Sequence, residues 1–314
     1  MTVLCPLSGS DRVVLLEKIP TDSLIEMYQK KIGDSIHSEF ADVREIGFYH
    51  CVESDLKFFY PMVTGSELFY EKLQQIDWYY LDEKKEYQYA AGYIRESDEV
   101  LEIGCGKGAF AEKIAAKSYI GLEFSRQAQA LAAEKNIKVL TESIEQHAAN
   151  HSEQYSVVCS FQVLEHVAEI HSFVEASVEC LKPGGLLIYT VPSADSFVAS
   201  IKNYVLNMPP HHLSWWSDKS LYHISELFGL KVVDAHHEKL ADIHKQWYSY
   251  SILIKALENI TKYKSNKLLI DRSLPYRLMS IASVLGSKLL EKGLADKGLP
   301  DGHSVTYVYQ KPES

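Results

Sequence analysis

The stretch VLEIGCGKGAF, residues 100–110, is an apolar run that turns at Gly104, Gly106 and Gly108 into a segment of helical composition. A run of this kind reads as a buried parallel strand. Its glycines let backbone pass where a Cβ would clash, and the helix expected next would aim its N-terminus at a ligand. A glycine-rich turn alone is weak evidence. SYIGLEF, residues 118–124, supplies a second strand. It carries Glu123, nineteen residues beyond Gly104, where doubly wound folds set a carboxylate against a ribose diol. The two signals together predict a site for a nucleotide-type cofactor.

Downstream, strand-like and helix-like segments alternate. Candidate strands are 99–104, 119–124, 138–142, 155–162, 185–191, 230–237 and 304–310. Ser125 can cap a helix over 126–136, and Val174, Val178 and Leu181 mark another that Pro183 and Gly184 would end. Ser217 can cap a third, with Leu221, Ile224 and Phe228 on one face and Gly229 as a left-handed stop. This alternation predicts an α/β fold built on a parallel sheet. Before the last strand lies a long insertion with two helical stripes, Tyr248, Ile252 and Ala256, then Leu278, Ile281, Leu285 and Leu289 after Pro275. These read as amphipathic helices packing as a cap or in a homodimer. Charges of mixed sign on the first helix argue against the alternative, a membrane-surface role.

The turn G-C-G-K-G, preceded by Glu102, departs from the dinucleotide fingerprint G-x-G-x-x-G. It resembles motif I of the class I S-adenosylmethionine-dependent methyltransferases. Three further phrases follow in that family's order: GLEFS (121–125), VVCSFQVLEHV (157–167) and LKPGGLLIYTVPS (181–193). The resemblance is close over 100–238 and returns at the final strand. It implies a Rossmann-like fold with a seven-stranded, mostly parallel sheet ordered 3-2-1-4-5-7-6, and S-adenosyl-L-methionine as cofactor. The phrase NMPPHHLSWWS (207–217) is similar to a bacterial subgroup associated with surface-glycan or small-molecule modification.

In related enzymes, paired cysteines occupy the places of CPLSGS (5–10) and YHCVESDLKFFYP (49–61). Here each phrase is Cys-x-x-Ser. The resemblance is thus to a degenerate zinc knuckle that keeps Cys5 and Cys51 but carries Ser8 and Ser54. Two thiolates without further ligands rarely hold structural zinc, so no metal is expected. The organisation that follows is a knuckle-like segment over 1–65, a helical cover over 66–98, the cofactor-binding core over 99–240, the helical insertion over 241–302 and the final strand over 303–314.

A chain of 314 residues can bury a sizeable core, and 46% hydrophobic with 24% charged residues is ordinary for a globular protein. The net charge of −10 lacks the basic footprint of a nucleic-acid binder. No apolar run approaches the ~20 residues of a membrane span, and the N-terminus lacks signal-peptide design. Five cysteines, an odd count, suggest reduced thiols. These features predict a cytoplasmic enzyme.

For the cofactor, the resemblance points to Gly104, Cys105 and Gly106 beside the methionine part, Glu102 shaping the turn and Glu123 on the ribose. Glu142 and Ser143 match the adenine edge, and Phe124 and Ile144 would sandwich the base. Phe161 and Gln162 are expected near the sulfonium, where an aromatic face favours a cation. Trp78, Tyr79 and Tyr80 are further lining candidates, Tyr80 foremost. A nucleophilic hydroxyl must lose its proton, and His211 or His212, on the loop after the fifth strand, are the candidate bases. His166 reads as structural. FQVLEHV is also similar to small-RNA 2′-O-methyltransferases that hold a divalent metal, with Gln162 where they carry a glutamate and Glu165, His166 and His212 as the remainder. Both the glutamine and the acidic balance oppose that reading. The expected activity is O-methylation of a small metabolite or glycan precursor, the alternatives being the metal-assisted RNA reaction or cofactor binding without turnover.

Overall fold

The computed structural model describes residues 2–33, 35–74, 85–294 and 299–313. The chain opens with β1 (Val13–Pro20), α1 (Thr21–Ile32), α2 (His37–Phe40), β2 (Glu45–Cys51) and β3 (Lys57–Tyr60), followed by α3 (Glu67–Gln74) and α4 (Lys85–Ala91). The core then runs β4 (Glu99–Ile103), β5 (Ser118–Leu122), α5 (Arg126–Glu134), β6 (Val139–Leu140), α6 (Ile144–Ala148), β7 (Tyr155–Phe161), α7 (Ile170–Cys180) and β8 (Leu181–Pro192). A two-residue strand β9 (Ser214–Trp215), α8 (Asp218–Leu227), β10 (Lys231–Lys239), α9 (Lys245–Thr261), α10 (Leu274–Leu290) and β11 (Asp301–Gln310) complete it.

Seven strands form one sheet in the order β10-β11-β8-β7-β4-β5-β6. Counted from β4, that is the predicted 3-2-1-4-5-7-6. β4 through β8 run parallel, and β11 lies antiparallel between β8 and β10. Val100, Leu101, Glu102 and Ile103 are all buried, as a central parallel strand covered on both faces requires. One face packs Leu101, Ile103, Val158 and Leu187 against α6, α7 and α8, while the other packs Val100, Val157, Phe161 and Ile188 against α4. The predicted caps are present: Ser125 accepts from Ala128 N, Ser217 from Ser220 N, and Gly229 has a φ of +63°.

Three local expectations need correction. No α-helix follows the glycine turn; only a 3₁₀ turn, Ala111–Lys113, occupies the short path to β5, so no long helix aims its N-terminus there. The path to β5 has room for little more than one turn, which gains few hydrogen bonds against the cost of helix nucleation. Second, α7 ends at Cys180 and β8 starts at Leu181, so Pro183 and Gly184 lie within the strand's irregular entry, with Gly184 at φ +77°. Third, the leucine stripe of the insertion does not pack as a cap, and on the first stripe Tyr248 alone packs, edge-on against Phe197 at 5.4 Å. Ile252, Leu278, Ile281, Leu285 and Leu289 are exposed, whereas α9 and α10 meet through Ile254, Tyr276 and Met279.

The first 65 residues contribute three strands of a second sheet. β1, β2 and β3 form an antiparallel meander that β9 extends. Phe48 stacks on Phe59 at 4.7 Å and meets Trp215 edge-on at 4.9 Å, which fastens this sheet to the segment after β8. At its edge the two Cys-x-x-Ser turns converge. Cys5 Sγ lies 3.4 Å from Ser54 Oγ, and Ser8 Oγ lies 3.8 Å from Cys51 Sγ.

Candidate active site

The C-terminal ends of the parallel strands carry the site. Gly104 has a φ of +70°, and a Cβ there would come within 2.6 Å of the Val163 side chain, so only glycine fits the turn. Gly104 N and Cys105 N both donate to Leu122 O, at 2.8 and 3.1 Å, binding the turn to the end of β5. Glu123 reinforces that link: its Oε2 accepts from Gly106 N at 3.0 Å and its Oε1 from Ser125 N at 2.8 Å. A carboxylate has about four lone-pair sites, so two further donors can be accepted, as a ribose diol requires. Phe124 beside it is 63% exposed, which leaves its ring open to contact. Glycine turn, carboxylate and exposed ring fit an adenosine-type cofactor.

The other predicted cofactor residues take different positions. Glu102 is buried under the hydroxyl of Tyr119, which donates to its Oε2, and it supports the turn from beneath. Cys105 is buried, its sulfur filling the space beside Gly121. Burial, with the charges of Glu102 and Glu123 adding to it, raises its thiol pKa far above the usual range, so it is inert. Glu142 Oε1 bonds His147 Nδ1 at 2.6 Å. Ser143 serves as the N-cap of α6 in a capping box with Gln146. Ile144 packs in the main core and Phe161 in the opposite one, against Tyr87 at 4.9 Å and Phe110 at 4.8 Å. Both side chains are buried, Ile144 beside the expected adenine edge and Phe161 at the end of β7. Gln162, at φ +59°, reaches across to Ser304 Oγ at 3.1 Å. Trp78, Tyr79 and Tyr80 lie outside the described residues.

At the same sheet edge, three histidines gather. His166 follows β7, and His211 and His212 follow β8. Ring centroids lie 4.7 Å apart for His166 and His211, 5.0 Å for His166 and His212, and 4.4 Å for the stacked pair His211 and His212. Each Nδ1 is committed to an oxygen: His166 to His211 O at 2.5 Å, His211 to Leu206 O at 2.7 Å and His212 to Asn207 Oδ1 at 2.9 Å. An Nδ1–H donated to a carbonyl leaves Nε2 as the basic nitrogen. Burial holds both His211 and His212 well below the ordinary imidazole pKa. The His166 ring adds to this at His211, and the His211, His166 and His303 rings at His212. Both rings are therefore held neutral.

This cluster is held by the N-terminal sheet. Phe59 N donates to Leu213 O at 2.9 Å, Gly65 N to Pro210 O at 3.1 Å and Leu213 N to Glu165 O at 2.8 Å. The Tyr28 hydroxyl bonds Val205 O and Met208 O.

With that geometry in view, the family profile described as a methyltransferase domain matches residues 75–235, just over half the chain. The chain belongs to this methyltransferase family. Among curated relatives, ubiquinone biosynthesis O-methyltransferases of Salmonella enteritidis PT4 and Salmonella arizonae are each 34% identical over 137 residues, covering 38% of this chain and 57% of theirs. The chain thus aligns with little more than half the length of these relatives. Among solved structures, a SAM-dependent methyltransferase from Archaeoglobus fulgidus is similar at 16% identity and a TM-score of 0.46, covering 72% of this chain and 91% of that one.

Several residues around this candidate site were not singled out in the sequence. Tyr70, on α3, brings its hydroxyl 3.3 Å from His166 Nδ1 and its ring within 6.2 Å of His211, where the sequence pointed to 78–80. Asn207 orients His212, and the pair Ser304 and His303 meets Gln162 from the last strand. Only the helical aromatic run around Tyr70 carried any signal; the others are brought in by tertiary contact.

Proposed function

We propose that the protein methylates an oxygen of a small metabolite or glycan precursor, with S-adenosyl-L-methionine as donor and His211 or His212 as general base. When bound, the cofactor supplies an electrophilic methyl group on a cationic sulfur. The protein contributes alignment, exclusion of water and proton removal. The observation that carries the reading is the placement of neutral imidazoles, their Nδ1 atoms tied down, at the sheet edge that also holds Gly106 and Glu123. With the glycine turn and Glu123 holding the methyl donor, Nε2 of His211 or His212 would take the acceptor O–H proton. Lowered basicity at these rings suits an acidic hydroxyl, such as a phenol at about pKa 10, better than an aliphatic alcohol. A screen of phenols, other hydroxylated metabolites and nucleotide sugars for S-adenosylhomocysteine release tests this. Turnover only on amines, or on none of these classes, would overturn it.

One observation favours a second reading. Ligand atoms of His166, His211 and His212 all lie within 4.8 Å of one another, so the three could hold a divalent metal and acceptor deprotonation would need no free base. Against it, the His211 and His212 rings are near-parallel at 17°, so their in-plane lone pairs run side by side instead of meeting at a point. Activity that survives chelation supports the base; activity lost to chelation and restored by metal supports the second reading. The converging quartet Cys5, Ser8, Cys51 and Ser54 further supports a degenerate zinc knuckle in the N-terminal segment.

A further inference from the structure

α10 is mounted with its most apolar stripe outward. Leu278, Ile281, Leu285 and Leu289 are 59%, 59%, 64% and 74% exposed, with Leu274 in line with them. The opposite face, through Tyr276, Met279, Ser283 and Ser287, is buried. The two serines lie on the inner face and the leucines outside, the reverse of an ordinary amphipathic helix of a globular protein. Ile260 and Leu268, in the connection from α9, are also exposed.

The charge of this segment runs against that of the whole chain. The chain carries −10, yet residues 245–294 hold nine lysines and arginines against three acids. Lys262, Lys264, Lys267 and Arg277 are exposed around the start of α10, Arg272 there is ion-paired with Glu26 at 2.8 Å, and Lys288 flanks the stripe further along. Beside this end lies a cleft of about 560 Å³, lined by Lys30, Lys31, Arg272 and Arg277. Apolar surface rimmed by cations is complementary to a surface that is apolar within and anionic at its head groups.

We propose that the outward face of α10 and its basic rim dock on an anionic phospholipid bilayer. The leucine stripe lies among the upper acyl chains, and the lysines and arginines meet lipid phosphates. A second copy of the chain joined stripe to stripe would bring two basic segments together, which the charge opposes. No helix among the described residues is long and apolar enough to cross a membrane, so the attachment is peripheral. The proposal is independent of the acceptor and of the base assigned above.

The test is flotation of the full chain with phosphatidylcholine vesicles, with and without phosphatidylglycerol. Binding is expected with phosphatidylglycerol, falling as salt rises, and at least about tenfold weaker without it. Leu278→Glu with Leu285→Glu, both on the exposed face, should abolish flotation. Lys264→Glu with Arg277→Glu should weaken it by about tenfold or more. Unchanged circular dichroism and S-adenosylhomocysteine affinity would show that each variant is folded. Absence of flotation with anionic vesicles overturns the proposal. So does a stable dimer, seen by light scattering, that the leucine variant dissociates.

Discussion

Both oxygens of Glu123 accept backbone N–H groups, from Gly106 and Ser125, so this side chain ties the glycine turn to the end of β5 whether or not a ribose adds two more donors. Glu123→Ala should weaken S-adenosylhomocysteine binding at least about tenfold by calorimetry, since charged hydrogen bonds are worth ~1.5–3 kcal/mol each. Unchanged affinity would remove it from the site. For His211→Ala and His212→Ala, the base should show as a kcat loss of roughly 10²–10⁴-fold with cofactor affinity kept. Because burial lowers both pKa values, the wild-type rate should already be flat across the ordinary imidazole range, its acidic limb lying below it. A limb centred at the ordinary value would point to another base. Gly104 and Glu123 were legible in the sequence because backbone sterics and a fixed spacing restrict those positions locally. The burial of Phe161 and Ile144 was not legible, because an apolar residue at a strand or helix end can face a ligand or the core, and packing partners from distant segments decide which.

Among the elements, the turns at Cys5–Ser8 and Cys51–Ser54 show how pattern and pairing share the work. The repeated phrase marks two similar turns, but only the pairing of β1 with β2 sets them side by side. Their cross-turn separations of 3.4 and 3.8 Å are close to the ~3.8 Å between sulfurs that Zn–S bonds of ~2.3 Å give in a tetrahedral site. Because Ser8 and Ser54 replace two of the four thiolates, the native protein, purified without chelator, should contain no stoichiometric zinc. Ser8→Cys with Ser54→Cys should bind one zinc per chain by elemental analysis. Zinc in the native chain, or none in the double variant, would contradict the reading of a degenerate knuckle. The missing helix after the glycine turn has the opposite lesson. Residues 109–117 have helical composition, yet the chain must return to β5 within nine residues, and closure prevails over propensity.

For the whole molecule, burial lowers the pKa values of His147, His211, His212 and His244. Unfolded, each binds a proton near 6.5; folded, each does so only at lower pH. The unfolded chain thus takes up more protons as pH falls through 6.5, and stability is lost in that direction, by at most about 1.4 kcal/mol per pH unit for each histidine. The melting temperature should decline from pH 7 to pH 5, and less steeply in the His211→Ala, His212→Ala double variant; equal slopes would show that these rings do not carry the effect. The sequence by itself determined the sheet, its strand order and the cofactor end. Each of these is encoded by local rules: apolar runs buried on both faces, glycines where a Cβ clashes, caps that start helices, and motifs that follow in a fixed order. The tertiary structure alone decided the acceptor end and the surface. β3 must pair with β9 before His211 and His212 can meet His166, and that contact joins segments more than 150 residues apart. The outward stripe of α10 read as packing because periodicity gives a helix its apolar face without saying which way it points; here the contact with α9 is made by the other side.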